Sequence, residues 1–284
     1  MSVPKLFPKF APVVLAALCA LLPATSSASL IWAPVGTALS PANFVDSNAS
    51  DGLQAVNLGA QYAFPFEGTT YQSINVTTSG FIWLGGINGS QCCILGSPSA
   101  ALNDFENNAA RIAPVWADLR PDLGGSIDVN QITDASGSRT VITYLNVPTS
   151  NPANSNATVS FQVQLFTTGE IIFSYEQFAA SVLGSNAAAV IGLTNGVNGP
   201  GTMQSVDFTN LTTSGPFSSP YDYLQASSGF NLSGDSFIFT PVASTDQFLL
   251  TSASPEPSTL IPIAGAFFFS TVISFIRQKR NSKY

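Results

Sequence analysis

The chain has 284 residues, 45% of them hydrophobic and only 9% charged, with no histidine and a formal net charge of −7. Six of its nine basic residues lie in two terminal stretches, so residues 29–254 set three arginines (Arg111, Arg120, Arg139) against fifteen carboxylates, a formal charge of −12. Such acidity argues against nucleic acid and anionic lipid as partners. Without an imidazole, Ser-His-Asp and Cys-His nucleophiles and histidine-based zinc sites are excluded.

At the N-terminus, Lys5 and Lys9 precede a twelve-residue apolar stretch, Ala11 to Leu22, and the small residues Ser26-Ser27-Ala28. This order predicts a signal peptide over residues 1–28, cleaved after Ala28. An ectodomain is expected over 29–250. Asp46-Ser47-Asn48-Ala49-Ser50-Asp51-Gly52 offers oxygen ligands for calcium, but its glycine falls one place late for an EF-hand loop, and such clusters also form ordinary turns.

Strands are predicted at Tyr62–Phe66, Ile74–Thr77 and Phe81–Leu84, with Gly68 and Gly80 at turns that need positive φ. Cys92 and Cys93 are adjacent, and their Cα atoms, about 3.8 Å apart, are too close for ordinary disulfide geometry. They are free thiols, partners for another molecule or a strained pair. Ala100 to Asn108 reads as a short helix. Further strands are expected at Ile112–Trp116, Ser126–Val129 and Thr140–Val147.

Thr158 to Leu165 alternates polar and apolar residues without error, which predicts a strand with one face in water. Thr167-Thr168-Gly169-Glu170 is turn chemistry, and Ile171 to Tyr175 returns as the hairpin partner. Ala189–Leu193 and Ser236–Thr240 complete the set, and Thr202 to Gly234 reads as a decorated loop with short strands. The expected fold is all-β, a single antiparallel β-sandwich of jelly-roll type. Phe64, Phe66, Phe81, Trp83, Trp116, Phe161 and Phe173 are its expected core.

The chain ends in three blocks: Pro255-Glu256-Pro257, an uncharged run of seventeen residues from Leu260 to Ile276, and the basic cluster Arg277, Lys279, Arg280. At about 1.5 Å per residue the run spans roughly 25 Å, enough to cross a bilayer with snorkelling flanks. The basic end stays cytoplasmic and places the preceding chain outside. This order, over residues 251–284, resembles the PEP-CTERM sorting tail of Gram-negative bacteria. The resemblance implies processing by a membrane-embedded transpeptidase, an exosortase, with Pro255, Glu256, Pro257, Arg277, Lys279 and Arg280 as the sorting signal.

A second resemblance lies in the centre. Tyr62-Ala63-Phe64-Pro65-Phe66-Glu67-Gly68 leads to Ser79-Gly80-Phe81-Ile82-Trp83-Leu84-Gly85. These are followed by Ile112-Ala113-Pro114-Val115-Trp116-Ala117-Asp118, then Phe161 to Phe166 and Gly169 to Tyr175. In that order the pieces, spanning about Leu53 to Asn198, resemble the extracellular nidogen-type (NIDO) domain. Ser79 departs from the asparagine usual in that family. The resemblance implies a matrix or adhesion protein without catalysis, and no functional residue is carried over.

Direct reading of the residues agrees. Residues 29–254 contain no lysine for a Ser-Lys dyad, and no GxSxG, phosphate loop or dinucleotide fingerprint occurs. A carboxylate pair drawn from Glu170, Glu176, Asp104 and Glu106 is the one catalytic arrangement left open. Asp118 is expected to pair with Arg111 or Arg120, or to cap a turn. Trp32, Tyr221 and Tyr223 are candidate exposed stacking groups for a sugar. The Thr-Thr pairs at Thr69, Thr77, Thr167 and Thr212 are irregularly spaced and make no flat ice-binding array. The expectation is an exported, non-catalytic surface or extracellular-matrix protein, structural or adhesive. It would need no cofactor, and its partners would be an exosortase, the membrane and exopolysaccharide. A polysaccharide- or calcium-binding module is the alternative.

Overall fold

The computed structural model describes residues 31–40, 51–86, 98–150, 157–177, 188–196, 203–225 and 232–253. The expected signal peptide, the Asp46–Ser50 part of the acidic loop, Cys92, Cys93 and the whole tail from Ser254 lie outside the described residues. Among those described, no helix is long and apolar enough to cross a membrane.

In chain order the strands are β1 (Thr37–Ala38), β2 (Leu53–Asn57), β3 (Phe64–Phe66), β4 (Thr69–Tyr71), β5 (Ser73–Thr77) and β6 (Ile82–Leu84). After the helix α1 (Pro98–Glu106) come β7 (Arg111–Trp116), β8 (Ser126–Asp134), β9 (Gly137–Pro148), β10 (Thr158–Phe166), β11 (Ile171–Gln177) and β12 (Ala188–Thr194). The last are β13 (Met203–Ser205), β14 (Ser219–Gln225), β15 (Ser236–Pro241) and β16 (Phe248–Ser252). They form two seven-stranded sheets, β1-β8-β9-β10-β11-β15-β16 and β13-β14-β12-β7-β6-β5-β2, with β3-β4 as a separate hairpin. Every pairing is antiparallel except β13–β14, which is parallel. Every strand predicted from the pattern is present, most of them longer than expected but β3 and β6 shorter, and the helix begins and ends two residues earlier than expected.

The two sheets share one apolar core. Phe161, Val163, Phe173 and Phe239 of the first sheet belong to the same buried cluster as Ile74, Ile112, Ile191 and Leu193 of the second. Two tyrosines cross the gap. The Tyr144 hydroxyl donates to the Thr77 carbonyl at 2.6 Å, and Tyr175 donates to the Pro114 carbonyl at 2.8 Å. A buried phenol must find an acceptor, and here a backbone oxygen on the opposite sheet supplies it. Burial pushes both phenols well above their ordinary pKa.

Two expectations about burial need correction. Phe81, Trp83 and Trp116 are buried, but not between the sheets. With Phe105 of α1, Ala113 and Val190 they form a second cluster. β7 is buried at all six positions, because the shared core covers one side chain and this second cluster the next. The alternating strand β10 is likewise buried along almost its whole length, on its polar face as well. Residues 31–36 run across that face and cover Gln162 and Gln164.

Candidate functional site

The tip of the β3–β4 hairpin, the turn between β10 and β11 and the turn between β15 and β16 meet at one end of the molecule. Glu67, Thr168, Gly169, Thr245, Asp246 and Gln247 are among the residues lining a cleft there of about 140 Å³. The hairpin turn is two residues long. Glu67 has φ 45° and Gly68 φ 76°, both in the left-handed region. Such a turn matches the twist of its strands and favours Asn-Gly, so a glutamate at the first position carries a backbone cost.

The Glu67 carboxylate is unusual in its surroundings. Both of its oxygens are buried, and neither has a hydrogen bond of good geometry. Burial pushes its pKa up to about 8; the nearby Asn195 side chain works against this, and the charge of Asp246 adds to it. A strained, desolvated carboxyl beside an acidic cleft is the strongest functional-site signal among the described residues. The sequence hint was slight: Glu-Gly stands where a two-residue hairpin favours Asn-Gly.

This predicts a pH effect with a definite sign. The unfolded glutamate ionises near 4.5 and the folded one near 8. Between those values the folded state keeps a proton that the unfolded state releases, so stability falls as pH rises and then levels off. Glu67→Gln should leave stability at pH 4 nearly unchanged and raise it at pH 8 by about 3 kcal/mol once partial exposure is allowed for. Denaturant midpoints at pH 4, 6 and 8 check this; parallel curves for the two proteins would contradict it.

The second cluster centres on Arg111. Its side chain is fully buried. Its guanidinium carbon lies 4.2 Å from the Trp83 ring centre, 4.9 Å from Trp116, 5.5 Å from Phe105 and 5.6 Å from Phe81. The guanidinium pairs with the Asp104 carboxylate at 3.3 Å and donates to the Asp104 carbonyl. Burial lowers the Arg111 pKa to about 10, against the pull of Asp104. Arg111 Nε and Trp83 Nε1 are buried donors without a hydrogen-bond partner. A guanidinium stacked among rings is held by cation–π attraction.

The predicted residues are scattered. Asp104 is the partner of Arg111, whereas Arg120 pairs with Asp122 at 2.7 Å. Asp118 is therefore not the ion-pair partner expected for either arginine; it acts on Arg120 only through longer-range charge. Glu170 closes the β10–β11 turn, where its carbonyl accepts from the Phe166 amide at 3.0 Å, and burial raises its carboxyl pKa. It follows Gly169 in the chain but is not among the residues lining the cleft, whereas Asp104 and Glu106 lie on α1 and Glu176 lies late in β11. Tyr221 and Tyr223 are not exposed as expected but half-buried against the second cluster. Trp32, also half-buried, lies on the segment crossing the first sheet, so the three aromatics form no common platform. Of the acidic loop, Gly52 is buried and its carbonyl accepts from Thr78 at 2.8 Å. Among the described residues no group of three or more acidic or cysteine side chains is placed to hold a metal.

A family model described as NIDO related matches residues 24–241. The chain belongs to the NIDO-related family. The match is wider than the central stretch that carried the resemblance, and takes in every strand from β1 to β15. No curated protein and no solved structure matches the chain. Within the stretches that carry the sequence resemblance of this NIDO-related domain, Phe64, Phe66, Gly80, Phe81, Trp83 and Trp116 are turn and core residues; of these only Phe66 lies in the cleft.

Proposed function

We propose that this NIDO-related protein is an exported, non-catalytic component of the cell surface or extracellular matrix, structural or adhesive in role. Its β-sandwich ectodomain is delivered by the N-terminal signal peptide and the PEP-CTERM-type tail. The single observation that carries this reading is the family match across residues 24–241, combined with a tail in the order Pro255-Glu256-Pro257, apolar run, basic cluster. The formal charge of −12 over residues 29–254 keeps such a domain soluble and away from anionic lipid. An exosortase is the processing partner, residues 260–276 hold the precursor in the membrane, and exopolysaccharide is the candidate matrix neighbour.

Mass spectrometry of the protein recovered from the cell surface tests the sorting step. The expected result is that no peptide extends beyond about Thr259. An intact Tyr284 terminus in the secreted pool would show that the tail is not a removable signal.

The cleft favours a second reading, a saccharide- or calcium-binding module. Glu67, Asp246, Gln247 and two threonines line one small cavity together with Pro65, Phe66, Pro241 and Phe248. Titration of the full chain with calcium and with the host's polysaccharide, repeated on Asp246→Asn, separates the two. Saturable binding lost in the variant would favour the module.

A further inference from the structure

The outer face of the first sheet is polar, and the chain's own N-terminal segment lies on it. Residues 31–36 cross it, and the sheet holds them by their backbone. Gln162 accepts from the Ala33 amide at 2.8 Å and donates to the Ala33 carbonyl at 3.1 Å. Its side-chain amide thus pairs with Ala33 as a neighbouring strand would. At Ile31 the amide donates to Ser236 Oγ at 2.8 Å, Ser236 donates to Ser174 at 3.0 Å, and Ser174 returns to the Ile31 carbonyl at 2.5 Å. Gln164 donates to the same carbonyl at 3.3 Å, and Asn130 donates to the Pro34 carbonyl at 3.0 Å. The segment then joins the sheet edge as β1, pairing Thr37 with Val129 and Ala38 with Asp128.

The seat reads backbone and size, not side-chain chemistry. Pro34, Val35, Thr37 and Ala38 are exposed, and only Ala33 is buried. One position is selective: a Cβ on Gly36 would lie 2.0 Å from the Val129 carbonyl oxygen, so only glycine passes there without backbone movement. The face beneath is polar: Thr143, Gln162, Gln164, Ser174 and Ser236 are all buried, and the last four hydrogen-bond to the segment that crosses them. Uncovered, these groups would exchange their protein hydrogen bonds for water, a change of small net free energy. An apolar seat would resist opening more strongly.

We propose that the outer face of the first sheet is an exchangeable peptide seat, filled by residues 31–38 of its own chain and, in exchange, by the same segment of a second copy. Every hydrogen bond and the β1–β8 pairing are identical in the two arrangements, which is the condition for low-cost swapping. Ten residues separate Ser40 from Asp51, a contour of up to about 35 Å. A reciprocal exchange closes a dimer, and a non-reciprocal one grows a chain. The inference stands on this geometry alone and not on the sorting tail.

The test uses the full chain, a labelled synthetic peptide of residues 29–40 and a scrambled peptide of the same composition. In the wild-type protein the cis segment competes for the seat. Gly36→Ala in the protein weakens that competitor, so peptide capture should become at least about tenfold tighter. The same peptide carrying Gly36→Ala should not be captured. A folded Gly36→Ala protein that captures nothing, or that captures the scrambled peptide equally well, overturns the proposal. Should Gly36→Ala fail to fold, the wild-type protein decides. Unlabelled and isotope-labelled samples, mixed at high concentration, should give mixed dimers by native mass spectrometry, and monomer at every concentration overturns it.

Discussion

Trp116→Ala should lower the unfolding free energy by about 3–5 kcal/mol. Trp116 is 1% exposed and sits in β7, the strand buried on both faces. Its ring meets Phe81 edge-on at 5.5 Å, stacks on Phe105 at 6.1 Å and lies under the Arg111 guanidinium at 4.9 Å. Truncation therefore opens a cavity that a strand hydrogen-bonded on both sides cannot collapse to fill. The loss is a large share of the margin of about 5–15 kcal/mol typical of a domain. Denaturant melts of the full chain measure it. Glu170→Gln, at the β10–β11 turn, should shift the same melt by less than about half a kcal/mol. A silent Trp116→Ala would mean that the helix-covered cluster does not hold the second sheet.

Arg111→Ala should cost a similar amount, about 3–5 kcal/mol, for a different reason. The variant removes the stem that fills space between four rings and leaves Asp104 without its partner. Arg111→Met separates the two contributions. It keeps most of the stem, and Asp104, 28% exposed, can turn to water. Replacement of a buried charge by an apolar group of similar length is often close to neutral, so Arg111→Met should cost under about 2 kcal/mol. Equal losses for Ala and Met would show that the charge itself, through its cation–π contacts, carries the cluster.

Strands with strict alternation and turn chemistry at their ends were legible: β10, the Thr167–Glu170 turn and β11 read directly from residues 158–175. β14 was hidden, because Ser-Pro-Tyr-Asp-Tyr-Leu-Gln mixes a proline and an acid into the run, and its neighbours β12 and β13 supply the pairing that local pattern lacks. β10 was read as facing water on one side because local alternation says nothing about a segment more than a hundred residues away that covers it. The same limit explains Arg111: Asp118 was close in sequence to a tryptophan, but α1 brings Asp104 to the guanidinium instead. The aromatic positions were read correctly as buried, while their division between two cores depends on the placement of the helix. Glu67 could not be found from composition, since its burial arises where three turns converge.

The central claim is that this NIDO-related protein acts at the cell surface by being there, not by turning over a substrate. The direct measurement is attachment of host cells lacking the protein, complemented with the wild-type chain, with a chain ending before Ser254, and with Glu67→Gln and Glu170→Gln variants. The account predicts that attachment is lost with the protein, restored by the wild type and by both carboxyl variants, and not restored without the tail. Attachment that is unaffected by loss of the protein, together with turnover of a glycan by the purified chain that Glu67→Gln abolishes, would contradict it.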